Sequence, residues 1–374
     1  MMNLKSFFAV LVLFAFAPVT SAQADFEGSY VGDMVKYRAK YEDTFIHLAR
    51  DYKLGYVEMR AANPNVDPWL PGAGTTLTLP TRHILPDAPH EGIVINLPEM
   101  RLYAFINGDA PPTTFPLGVG REGLETPVGS TTVVRKKAGP TWRPTPRMRS
   151  EDPLLKAVYP PGPDNPLGTH AIYLGWPTYA IHGTNRPFGI GRRISSGCIR
   201  MYPEDISRFF EMIPVGTKVT VVDHAVKLAW IEDKLYIEAH PSLEHSLEME
   251  ETARIAAPKL SEEDMERIIK IAGEHKDKIR WAAVRTAIRE RKGYPIYIAR
   301  RSGGYDTQES AELEDLDEAD VLAMEEAEIE ATKNEAREVL EEIYGTEDES
   351  EDLDQKASYA APAAKDYEMR TLNP

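Results

Sequence analysis

Apolar and polar positions follow a different pattern in each of five successive stretches of the chain. The first is an unbroken apolar run, Phe7 to Ala17, preceded by Lys5 and followed by Ala22-Gln23-Ala24. A short positive segment, an apolar run and a small-x-small site are the marks of an export signal, here residues 1–24, with Asp25 as the mature N-terminus. The run is too short to span a bilayer as a permanent helix. In the second stretch, residues 37–81, Asp43-Thr44 caps a helix that places Phe45, Leu48 and Ala49 on one face. Asn63-Pro64 marks a stop and turn, and Leu77-Thr78-Leu79 reads as a short strand closed by Pro80.

The third stretch, residues 91–223, turns to short β-rich runs broken by glycine and proline. Gly92 to Leu97, Arg101 to Phe105 and Thr217 to Val222 favour strands, and only Glu204 to Met212 has a helical pattern. This predicts a mainly β domain, a sandwich or a closed barrel. The proline-rich segment Pro140 to Pro166 has strand patterns on both sides, which predicts an ordered surface excursion. In the fourth stretch, 224–300, two strands (Val226–Trp230 and Leu235–Ala239) precede a helix started by Ser261 with Asp264 and a second from Lys278 to Arg291. A small α/β subdomain is expected there. From 301 to 374 the chain is acidic and poor in aromatics. Leu322, Ile329, Ala336 and Ile343 recur every seven residues, but Glu325 and Thr332 interrupt the seam, so a solvated, partly helical tail is expected.

Charge and cysteine content sharpen this picture. The net charge of the 374 residues is −16, yet Asp306 to Asp354 holds 22 acidic and two basic residues, a local net of −20. The remainder therefore carries +4, which argues against nucleic acid as a partner and suits an anionic polymer. Arg186, Arg192 and Arg193 are expected to form a basic groove with Arg200. Cys198 is the sole cysteine, so an exported chain of this kind has no internal disulfide, and the thiol must be either used or deeply buried. The other histidines are scattered without ligand spacing, so no metal or organic cofactor is expected.

The chemistry concentrates in Ile181-His182-Gly183-Thr184 and Ser195-Ser196-Gly197-Cys198-Ile199-Arg200-Met201. A catalytic thiol needs a base, a group to orient that base and donors for the oxyanion. His182, sixteen residues before Cys198, supplies the base if their strands lie side by side. Gly183 permits close backbone approach, and a carbonyl there can hold the imidazole tautomer. Gly197 lets the chain turn so that the N–H groups of Gly197 and Cys198 face an oxyanion. Arg200 suits lowering the thiol pKa or gripping a substrate carboxylate. On these residues alone a buried, inert cysteine is an equal alternative, because free cysteine is among the most buried residue types.

These segments resemble the signature of YkuD-type L,D-transpeptidases, H-G-T followed by S-[HS]-G-C-[IV]-R, with Thr126-Pro127-Val128-Gly129 and Gly189-Ile190-Gly191 agreeing as well. Ser196 stands where histidine is most common, which leaves His182 as the base within the motif. Residues 37–81 resemble a LysM module through Asp43-Thr44-Phe45-Ile46-His47-Leu48-Ala49, Asn63-Pro64 and Gly74 to Pro80, with Glu42 in place of the usual glycine. The resemblance implies a mainly β catalytic fold, a periplasmic location and a wall substrate. Cys198 would attack a tetrapeptide stem of peptidoglycan, with Arg200 and Ser196 at the substrate. Release of the terminal D-alanine would leave a thioester, passed to an amine of another stem or of a lipoprotein. Water as acceptor would instead give an L,D-carboxypeptidase or a hydrolase releasing wall-linked lipoprotein. A non-catalytic wall-binding protein is the alternative from another class. Oligomeric state is not legible here.

Overall fold

The centre of the molecule is an eight-stranded sheet whose two edges almost meet. The computed structural model describes residues 26–301 apart from 107 and 257, so the expected export signal and the acidic tail beyond 301 lie outside the described residues. The strands run in the order Ile199–Arg200, Ala180–His182, His170–Leu174, Gly129–Ala138, Lys218–Val222, Gly92–Asn96, Arg101–Phe105 and Thr113–Pro116. Neighbours are antiparallel except at two places: Ala180–His182 beside Ile199–Arg200, and Lys218–Val222 beside Gly92–Asn96. Gly118, just past the last strand, exchanges both backbone hydrogen bonds with Arg200 on the first, at 2.9 and 2.8 Å. The sheet is therefore curled almost into a closed barrel, which removes most of its exposed edge.

Alternation along these strands sends Ile93, Ile95, Leu102, Ala104, Ile172, Ile181, Ile199, Val219 and Val221 into the main core. Helix Pro203–Met212 covers that core with Ile206 and Phe209, and Phe209 packs edge-on against Phe115. The three strands expected from sequence lie within a residue of their observed limits. The proline-rich excursion is ordered, as expected. It contains an unexpected helix, Pro146–Glu151, capped by Thr145. Buried Asn165 pins the excursion by donating to the carbonyls of Pro140, Tyr159 and Pro160.

The N-terminal unit pairs Val35–Arg38 with Thr76–Leu79, antiparallel, around helices Phe45–Asp51 and Tyr56–Ala62. Thr44 caps the first helix as expected, accepting the N–H of His47. The residues after 224 form a three-stranded antiparallel sheet, with Ile296–Arg300 as the third strand. Helices Glu262–Ala272 and Trp281–Glu290 cover it, and Ser261 caps the first of them.

These segments are not beads on a string, because all described residues fall in one compact unit. Val57 and Ala61 of the N-terminal unit belong to the main core. A buried charged cluster joins all three segments. Glu58 pairs with Arg101 at 2.7 Å, and Lys227 pairs with Glu99 at 2.8 Å and with Glu238 at 2.7 Å. His83, Glu99 and Glu238 present donor atoms within 4.8 Å of one another, the spacing of a metal site. The Lys227 ammonium, however, sits directly against both carboxylates and supplies a cation there already. Among the described residues, no helix is long and apolar enough to cross a membrane.

Candidate active site

The parallel pairing of Ala180–His182 with Ile199–Arg200 sets Ile181 against Ile199 and His182 against Arg200. Side chains alternate across a strand, so His182 and Arg200 share the face opposite to Ile181 and Ile199, which are fully buried in the core. One step further along the same register, Cys198 falls beside Ala180, whose backbone N–H donates toward the sulfur. The sequence thus brings His182, Cys198 and Arg200 to one face at one edge of the curled sheet.

His182 is buried, and its Nδ1 lies 2.5 Å from the carbonyl oxygen of Gly183. That acceptor places the proton on Nδ1 and leaves Nε2 as the basic nitrogen. Glycine is required at 183, because a Cβ would lie 2.9 Å from Ile206 Cγ2 and 3.3 Å from the Leu167 carbonyl. Burial, and then the charge of Arg200, push the imidazole pKa down to about 4, against the opposing pull of the Gly183 carbonyl. Burial pushes the Cys198 thiol up, opposed by the Ala180 N–H and by Arg200. Both shifts favour a neutral thiol and a neutral imidazole over a thiolate–imidazolium ion pair.

The turn carrying Cys198 is held by two buried hydroxyls. Thr126 Oγ1 accepts from the Gly120 N–H at 3.1 Å and donates to the Gly197 carbonyl at 2.9 Å. Ser195 Oγ donates to the Cys198 carbonyl and accepts the Gly197 N–H at 3.2 Å. Gly197 adopts φ +99°, and a Cβ there would lie 2.8 Å from Tyr179 Cε1. One consequence qualifies the expectation for the oxyanion donors: the Gly197 N–H is turned into the loop, toward Ser195.

The thiol itself donates to the Thr178 carbonyl at 3.4 Å. Thr178 holds φ +72°, a strained conformation for a β-branched residue. Thr178 and the roles of Ser195 and Thr126 were missed by sequence reasoning, since none adds chemistry of its own. Ser196 is half-buried, and its hydroxyl makes no hydrogen bond among the described residues.

The expected basic groove needs correction. Arg192 pairs with Glu250 at 2.6 Å and stacks on Tyr56, while Arg193 donates to the carbonyls of Gly120 and Leu243. Both guanidiniums are spent on packing loops together. Arg186 remains exposed, and its charge acts on Arg200, whose buried Nε has no partner. A cavity of about 420 Å³ adjoins this loop, lined by Pro161, Pro163, Gly168, Thr184, Asn185 and Pro203. Two cavities of about 440 and 600 Å³ elsewhere are lined by no residue of the His182 and Cys198 segments.

A thiol beside a tautomer-fixed imidazole and a guanidinium equips a cysteine acyl-transfer enzyme. Residues 90–221 match the family profile of the L,D-transpeptidase catalytic domain. The chain is 41% identical over 261 residues to the probable L,D-transpeptidase ErfK/SrfK of Salmonella typhimurium, covering 67% of this chain and 84% of that protein. It is 50% identical over 204 residues to the probable L,D-transpeptidase YbiS of Escherichia coli, covering 53% of this chain and 66%, just under two thirds, of that one. The crystal structure of Mycobacterium tuberculosis L,D-transpeptidase 1 aligns with a TM-score of 0.26 at 19% identity, covering 40% of this chain and 68% of the other. The chain belongs to the L,D-transpeptidase family.

Proposed function

We propose that the protein is a peptidoglycan L,D-transpeptidase that works through a thioester on Cys198. The observation that carries this reading is the strand register that sets His182 and Arg200 side by side with Cys198 two residues away on the same face. In the reaction, His182 Nε2 takes the thiol proton as sulfur attacks the stem carbonyl before the terminal D-alanine. The Cys198 N–H is the oxyanion donor, joined by that of Gly197 if Ser195 releases it. Collapse breaks the C–N bond, and the proton on His182 passes to the leaving amine. An amine of a second stem, or of a lipoprotein lysine, then attacks the thioester and regenerates the thiol. Arg200 offsets the thiolate charge and binds a substrate carboxylate, with Ser196 beside it. Water as acceptor gives the carboxypeptidase outcome, and the acceptor rather than the catalytic residues decides between them.

The surrounding organisation belongs to the same proposal. Residues 1–24 direct export, the enzyme acts in the periplasm, and residues 37–81 act as a LysM-like glycan-binding module. Exposed Tyr41, Trp69 and Leu70 on that unit support the last point, since solvated aromatic and aliphatic side chains suit sugar contact. The test is muropeptide analysis with wild type and Cys198→Ala. Cross-linked dimers from the wild type, together with a carbapenem adduct on Cys198 by mass spectrometry, are expected. Trimmed monomers alone would redefine the enzyme as a carboxypeptidase, and no product with either protein would sink the reading.

A further inference from the structure

Between His182 and Cys198 the chain makes a short turn, Pro187–Gly189, that lifts Phe188 out of the surface. Phe188 is 51% exposed, although phenylalanine gains most from burial. Its ring lies 6.1 Å from that of exposed His47, on helix Phe45–Asp51 of the N-terminal unit. Ile194, 39% exposed, reaches under the same turn, where a Cβ on Gly189 would lie 2.1 Å from its Cδ1. Phe188 and His47 thus form a small exposed aromatic platform beside Ile194 and Gly189, with Arg186 exposed two residues before Phe188.

The platform is preformed because the two units are locked together beneath it. Gly55 and Gly191 pack backbone against backbone: a Cβ on Gly191 would lie 2.2 Å from the Tyr56 nitrogen. The Val57 N–H donates to the Gly191 carbonyl at 3.2 Å. Arg50 grips Glu204 through two bonds of 2.9 and 2.8 Å, and Lys53 reaches Asp205 at 2.7 Å.

A single exposed apolar residue is ordinary, but an aromatic pair on the segment bracketed by the motif halves has a use. A patch of two rings inclined at 58° is far below the roughly 800 Å² per partner of a stable protein interface. It suits the apolar C–H face of one pyranose ring, and it stands on the segment between His182 and Cys198. We infer that Phe188 and His47 stack against a sugar of the glycan that carries the donor stem, so that the N-terminal unit and the catalytic loop share one sugar site. This rests on the stem-peptide reading above.

The experiment measures KM for acyl transfer with a disaccharide-tetrapeptide and with the sugar-free tetrapeptide, using wild type, Phe188→Ala, His47→Ala and Phe188→Trp. Loss of one aromatic stack should raise the KM ratio of glycosylated to sugar-free donor roughly five- to tenfold in Phe188→Ala. The His47→Ala ratio should rise less, and Phe188→Trp should restore it. Equal losses on both donors would make Phe188 a support of the catalytic loop and overturn the proposal, as would an unchanged ratio. If the wild type turns over neither donor, the stem-peptide reading itself fails, and that outcome is distinct from an active enzyme with an unchanged ratio.

Discussion

Replacing Arg101 by methionine removes the partner of Glu58 at the centre of the molecule. Both side chains are almost wholly buried, and the carboxylate also caps the Gly55 N–H at 2.9 Å. Arg101 further donates to the Lys53 carbonyl and to Thr114 Oγ1, each at 3.2 Å. Methionine fills much of the volume, so the loss is electrostatic. Leaving a buried charge unpaired costs about 3–5 kcal/mol. At roughly 2–4 °C per kcal/mol for a unit of this size, the midpoint should fall by about 6–20 °C in calorimetry. Burial already holds the Glu58 carboxyl above its ordinary range, with Arg101 opposing that shift. A folded pKa raised above the unfolded one lowers stability as pH climbs from the unfolded value toward the folded value. Without Arg101 the rise is larger, so the deficit should be small near pH 4 and full at pH 7. The double variant Glu58→Gln/Arg101→Met keeps the cap, removes the stranded charge and should recover half or more of the loss. A single-variant cost below about 1 kcal/mol, or strict additivity in the double variant, would refute this account of the interface.

Other outcomes follow from the site. Cys198→Ser should fold normally and lose transpeptidation, checked by calorimetry and product analysis, because a hydroxyl cannot supply the thiolate. With His182 held at about 4, the imidazole is neutral and basic from roughly pH 5 upward. The acid limb of acylation should thus lie near pH 4, and a limb near 6.5 would contradict the burial argument. Alkylation of Cys198 by iodoacetamide should keep rising past about pH 8.5, since burial raises the thiol, and a plateau at pH 7 would show an ion pair instead. Thr126→Val should cut acylation roughly ten- to a hundredfold while leaving Cys198 alkylable, because the Gly197 carbonyl and the Gly120 N–H lose their shared hydroxyl.

What could be read from the sequence was local or chemical. Thr44 and Ser261 cap helices where capping residues were expected, and the spacing of His182 and Cys198 does bring them to adjacent strands. Helix Tyr56–Ala62 was missed because it is buried along its whole length, which erases the amphipathic pattern. Strand Ile296–Arg300 was missed because its partner, Lys234–Ala239, lies some sixty residues away. How the successive segments adhere left no mark in the local sequence pattern. Glu58 and Arg101 are 43 residues apart, and Lys227 and Glu99 still further, so no local pattern announces either pair. Arg192 and Arg193 looked like members of a basic groove for the same reason: their acceptors, Glu250 and the Leu243 carbonyl, come from a distant segment.

The cluster around Lys227 also dictates an order of assembly. A chain that emerges N-terminus first presents Glu99 and its strand well before Lys227 appears. Until then Glu99 can enter the interior only as an uncompensated anion or by taking up a proton. Burial of Glu99 beside this countercharge therefore waits for residue 227, after Cys198 and His182 have both emerged. The segment after 224 carries none of the proposed chemistry, yet it supplies the ammonium that lies against both Glu99 and Glu238. Ion pairing of Glu99 thus requires a chain that has arrived at least as far as that lysine.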